Sequence, residues 1–145
     1  MKKLFRTFCA VALIGAIATT SSCTKTCDAG YEGTKCDVEI RGKYISNYSV
    51  TETCQLSGAV GPYTAEITKS STDILKIFLN NFGDFSSVIS ITATVDGNNI
   101  TIPAQTVSGY TINGSGSLSG NVLSISYTVS AGGTSETCTA TWTKQ

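Results

Sequence analysis

From position 40 onward the chain reads as short runs in which apolar residues take every second place. Ile89, Ile91, Ala93 and Val95 alternate strictly with polar neighbours, and so do Leu123, Ile125, Tyr127 and Val129. A period of two is that of a strand with one face in a core and the other in solvent. Tyr63, Ala65 and Ile67, then Leu75, Ile77 and Leu79, then Ile100 and Ile102 extend the pattern. Tyr110, Ile112 and Leu118 follow, with Gly114 and Gly116 on the same parity, and Cys138, Ala140 and Trp142 close the series. Tyr44 to Cys54 opens it. Ile74 and Phe78 fall on the opposite parity of their strand, which predicts a cover over its second face or its edge. No helical period appears in this part of the chain.

Turn chemistry separates the runs. Asp96-Gly97 is a hairpin signal requiring positive φ. Ser70-Ser71-Thr72-Asp73, Ser119-Gly120-Asn121 and Gly132-Gly133 mark three more turns. A loop is expected through Ser57, Gly58, Gly61 and Pro62, and a longer connection over Asn80 to Ser87, carrying Phe82 and Phe85. Pro103 is expected to end the Ile100–Ile102 strand. The pattern predicts an all-β fold of about eight strands in an antiparallel meander, which closes into a barrel to hide its edges. Cys54 ends the first strand and Cys138 begins the last. If those strands pair to close the barrel, a disulfide between them is geometrically natural. Glu52 carries the inward parity of Tyr48 and Val50, so either a bulge turns it outward or it is a polar group inside the mouth.

The first residues are of a different kind. Lys2, Lys3 and Arg6 precede an apolar run of eleven residues, Phe8 to Ala18, with small polar residues after it. This is the three-part build of an export signal, and the run is about half the ~20 residues that cross hydrocarbon as a helix. Cleavage after Ala16-Ile17-Ala18 would give a secreted protein. Cleavage before Cys23, at Thr20-Ser21-Ser22-Cys23, resembles the signal of bacterial lipoproteins, and its Ser-Ser-Cys ending is similar to those of the Bacteroidota. The resemblance implies a signal helix and peptide over 1–22, a lipid on Cys23, and a bacterial cell-envelope location at the outer membrane, on its periplasmic or surface face. Cysteine arithmetic favours the lipid: with Cys23 consumed, Cys27, Cys36, Cys54 and Cys138 remain, an even set in an oxidising compartment.

Cys27-Asp28-Ala29-Gly30-Tyr31-Glu32-Gly33-Thr34-Lys35-Cys36 is similar to the last disulfide loop of an EGF-like module, which implies a Cys27–Cys36 bridge. Gly30 and Gly33 permit a tight double turn, and closing so short a loop is worth about 2.5–3 kcal/mol in the chain-entropy model. With the anchor it forms a unit over 23–39, either a stiff spacer below the main domain or a protein-contact knob. A zinc site at Cys23, Cys27 and Cys36 is disfavoured by the oxidising compartment and the lack of histidine.

The domain over 40–145 resembles the lipocalin-like β-barrel lipoproteins of Bacteroidota. The stretches that carry the likeness are Gly42-Lys43-Tyr44, Tyr48 to Cys54, Asn81-Phe82-Gly83, Ile100 to Gln105 and Cys138 to Trp142. It implies a barrel and transfers no binding residue.

Composition narrows the function. Outside the leader there are 7 Lys+Arg against 10 Asp+Glu, a net charge of −3, so nothing basic recommends a nucleic-acid partner. Histidine is absent, which removes the commonest general base and metal ligand. No phosphate loop, catalytic triad or metal cluster is present, and no cofactor is implied. The carboxylates are scattered and mostly beside turns, so the chain is not read as an enzyme. Two readings remain. A small apolar ligand could occupy the barrel, lined by Tyr48, Tyr110, Tyr127 and Trp142 and oriented by Glu52. Alternatively those residues fill the core, and the protein is a structural or interaction module that contacts another envelope protein or an extracellular polymer.

Overall fold

A computed structural model describes residues 26–85 and 89–145. The leader and Cys23 lie outside the described residues. Eight antiparallel strands form one closed barrel: β3 (Ser46–Cys54), β4 (Gly58–Lys69), β5 (Lys76–Asn80), β6 (Ser90–Asp96), β7 (Asn99–Val107), β8 (Tyr110–Ser119), β9 (Val122–Ala131) and β10 (Thr134–Lys144). Each pairs with the next, and β10 pairs back onto β3. Two short strands precede them, β1 (Tyr31–Glu32) and β2 (Val38–Glu39), joined as a separate ribbon. Among the described residues no helix is long and apolar enough to cross a membrane.

The alternating residues form the core. Val50, Ile67, Ile77, Leu79, Ile91, Ile112, Leu123 and Trp142 are fully buried, while their neighbours along each strand face water or lie only partly covered. Closure at the β3–β10 seam sets Cys138 directly opposite Cys54, and the two are bonded. That bridge spans 84 positions, worth up to about 4–5 kcal/mol in the chain-entropy model.

Three local features depart from the alternation. The Ser57–Pro62 loop is instead a tight turn at Gln55–Ser57, and β4 runs on from Gly58 through Gly61 and a cis Pro62. The strand accommodates this by a bulge: Val50 pairs with Tyr63 but Glu52 with Val60, so β4 carries one extra residue. A side chain at Gly61 would place its Cβ 2.6 Å from the Val50 carbonyl oxygen, so only glycine fits. Likewise Pro103 does not end β7. A register shift between Ile102 and Gln105 takes Pro103 and Ala104 out of the ladder, and pairing resumes at Gln105 with Ile112.

The strand connections divide between two ends. At the base lie the start of β3, the end of β10 and the β4–β5, β6–β7 and β8–β9 turns. The cysteine loop packs there, closed by the Cys27–Cys36 bond. Gly30 lies against Ile74 and Leu75, with only 3.0 Å from its Cβ position to Ile74 Cγ2. This is the cover that the off-parity Ile74 predicts. Arg41, 8 % exposed, fixes the junction: its Nη1 donates to the carbonyls of Ser70 at 2.7 Å and Asp73 at 2.8 Å. Glu39 Oε2 accepts from Lys69 Nζ at 2.7 Å and Arg41 Nε at 3.2 Å, and both cations hold its carboxyl below the usual range. Tyr44 fills the floor, donating from its hydroxyl to Gly97 O at 3.1 Å and accepting at its carbonyl from Tyr48 Oη at 2.6 Å. Burial pushes both phenols up to about 12.

Candidate functional site at the barrel mouth

The opposite end, the mouth, holds the β3–β4, β5–β6, β7–β8 and β9–β10 connections and the Cys54–Cys138 bridge. Here the alternation places a carboxylate inside. Of the two alternatives for Glu52 the structure shows the inward one: it is 5 % exposed, because the bulge lies in β4 and leaves the alternation of β3 unbroken. Its Oε2 accepts a hydrogen bond from Tyr127 Oη at 2.9 Å. The Tyr63 hydroxyl is a second side-chain partner, and itself accepts from the Gly83 N–H at 3.1 Å. Burial raises the Glu52 carboxyl above its ordinary range, the two phenols oppose that shift, and Asp84 and Glu136 add to it. Burial and the neighbouring Glu52 charge raise both phenols as well. Among the described residues no Lys or Arg contributes to the setting of Glu52. An uncompensated buried carboxyl of this kind stays protonated to higher pH than a solvated one.

An aromatic cluster fills the space beside it. Phe82, fully buried, stands edge-on to Tyr127 with centroids 4.6 Å apart, and lies 6.0 Å from Trp142. Trp142 in turn meets Tyr48 edge-on at 5.7 Å. Phe82 arrives from a single 3-10 turn, Phe82–Asp84, that dips from the β5–β6 connection into the barrel. The dip needs left-handed backbone at Asn81, Gly83 and Asp84. Glycine suits position 83 because its φ of 71° is left-handed, and a Cβ there would meet the Phe85 ring at 2.2 Å and force it aside.

Of the five residues named as possible ligand-lining groups, the structure brings Glu52 and Tyr127 into direct contact. It sets Tyr48 and Trp142 deeper, in contact with each other. Tyr110 is not with them: half-buried at the rim, it stacks on Phe85 at 4.7 Å. Phe82 and Tyr63 were not singled out. Phe82 lies in an aperiodic loop where alternation has no reach, and Tyr63 was legible only as one more inward residue. Metal chemistry gains nothing at this end. Glu136 lies beside Cys54 and Cys138, but both sulfurs are spent in the disulfide. Glu136 instead holds the β3–β4 turn, accepting from Ser57 Oγ at 2.7 Å and from the N–H groups of Ser57 and Leu56.

The outside of the barrel carries a groove of about 680 Å³ over β7 to β10. Its cause is local. Gly114 and Gly116 take inward positions on β8, where Cβ atoms would lie 2.4 Å from Ser126 O and 2.7 Å from Ser124 O. Lacking side chains, β8 settles close to β9 and the outer face sinks. The groove is lined by hydroxyls in two cross-strand rows. One runs Thr101, Ser115, Ser126, Thr139; the other runs Ser117, Ser124, Thr141. The first row continues onto Thr53 of β3 and the second onto Thr51.

Comparison of the chain with protein-family models and with curated proteins found no match.

Proposed function

We propose that this chain is a lipid-anchored protein of a bacterial cell envelope, tethered at Cys23, whose barrel is a filled, non-catalytic body that acts by contact through its outside. The observation that carries this reading is Phe82 packed against Tyr127 and Trp142: the protein's own rings take up space at the mouth that a small apolar ligand would need. The position of the cysteine loop supports the anchoring. A lipid on Cys23 would stand four residues before Cys27, and the Cys27–Cys36 loop packs on the base, so the base would face the membrane and the mouth would point away from it. The loop is then a foot clamped to the barrel by Arg41 rather than a free spacer.

The surface left to a partner is the groove over β7–β10. It has hydroxyl donors and acceptors in ordered rows and no charged side chain, which suits a neutral polar partner, a polysaccharide chain above all. The purified protein and its Ser126→Glu variant, assayed side by side for retention on envelope polysaccharide and envelope protein fractions, test this. Retention of the parent and at least about a tenfold loss in the variant are expected, a loss of ~1.4 kcal/mol. Equal retention of both, or none of either, contradicts a contact role for the groove.

A further inference from the structure

The mouth plug and the buried carboxyl are wired together, and this goes beyond the contact role. The 81–85 segment reaches Glu52 by two routes: through Phe82, whose ring lies on the tyrosine that donates to Glu52, and through the Gly83 N–H, which donates to Tyr63, the second phenol beside Glu52. The plug also carries Asp84, a like charge to an ionised Glu52. Groups facing Glu52 come from every neighbouring element: Tyr63 on β4, Asp84 on the plug, Tyr127 on β9 and Glu136 on β10, all acidic and none cationic. The closed state also leaves two buried polar atoms without hydrogen-bond partners among the described residues: Asn81 Oδ1, in the plug, and Trp142 Nε1, on the indole that Phe82 lies against. Each such atom disfavours the closed state, a cost relieved once water reaches it.

We infer that the Asn81–Phe85 segment is a proton-latched plug: protonated Glu52 holds it closed, and ionised Glu52 releases it and opens the aromatic chamber of Tyr127 and Trp142 to solvent. The sign follows from linkage. The closed form binds the Glu52 proton more tightly than an open form in which the carboxyl is solvated. Opening is therefore unfavourable below the ordinary glutamate pKa, and becomes easier as pH rises from there to the raised value of the closed form. Between those limits the opening constant increases by up to about tenfold per pH unit, and it levels off above them. The latch would keep the mouth shut in an acidic setting and uncover an apolar chamber in a neutral one.

Trp142 is the single tryptophan of the chain and lies under Phe82, so acrylamide quenching of its fluorescence reads the plug directly. On the full, disulfide-bonded protein, quenching is expected to rise in one titration as pH increases. In Glu52→Gln it is expected to be independent of pH. Because that variant alters a buried site, two more keep the test sharp. Tyr127→Phe removes a donor to the carboxylate and should move the midpoint to higher pH. Asp84→Asn removes a like charge and should move it lower. Quenching of the parent that does not change with pH, a titration that persists in Glu52→Gln, or midpoints unmoved in both other variants would overturn the latch.

Discussion

Tyr127 and Glu52, 75 positions apart, meet inside the barrel mouth through a 2.9 Å hydrogen bond from phenol to carboxyl. The contact exists because β9 and β3 both flank β10: Tyr127 pairs with Cys138, and Ala140, one inward step along, pairs with Glu52. The disulfide thus marks the same corner of the barrel as the buried acid.

Global stability should carry the signature of Glu52. Its carboxyl is raised by burial in the folded state, so its contribution is fully present below the unfolded pKa and is lost as pH rises through the folded one. Half-buried Glu39, Asp73 and Glu136 run the other way, their lowered carboxyls giving stability that is lost as pH falls. The difference between the parent and Glu52→Gln cancels those. In urea denaturation, that difference should move against the parent from about pH 4.5 upward, by at most ~1.4 kcal/mol per pH unit. A difference that is flat with pH would mean Glu52 titrates as a solvated group.

Arg41 is expected to hold the foot. Arg41→Met keeps the apolar stem and removes the donors to the Ser70 and Asp73 carbonyls; Asp73 O keeps the Lys76 N–H, while the buried Ser70 carbonyl loses its charged donor. A loss of about 2–3 kcal/mol is expected in equilibrium unfolding. Faster amide exchange should appear at Ile40, whose N–H bonds Gly30 O. An unchanged denaturation midpoint would show that the foot is held without Arg41, by Ile74, Leu75 and the Lys69–Glu39 pair.

Gly114 tests the origin of the groove. Its backbone is ordinary, so Gly114→Ala reads packing alone: the new Cβ would sit 2.7 Å from Tyr127 Cβ and must push β8 outward. Overpacking of this kind costs about 1–3 kcal/mol, against about 0.5 or less for Asn113→Ala on the outer face. Equal, small effects from both would remove the steric account of the groove.

The architecture was legible in the sequence wherever one face of a strand met the core. The runs Ile89–Val95 and Leu123–Val129 alternate without a break, and Cys54 and Cys138 sit where a closing seam needs them. What escaped were places where the ladder bends without ending. Pro103 lacks an N–H and reads as a stop, yet a bulge carries β7 past it. Gly61 and Pro62 read as a loop, yet β4 absorbs them with one extra residue. The plug was illegible for a different reason. Phe82 belongs to no period, and only the left-handed turn around it aims its ring at Tyr127. Arg41 gave no signal either, since a lone arginine before a strand reads as surface until the β4–β5 turn closes over it.

The central claim is that the barrel is filled by its own side chains and works from the outside. A native mass spectrum of the protein taken from cell membranes in mild detergent, with both disulfides formed, tests it most directly. The account predicts the mass of the chain with its acyl groups and nothing further. A defined additional small-molecule mass, lost on unfolding, would contradict it and place a ligand in the chamber that Phe82 closes.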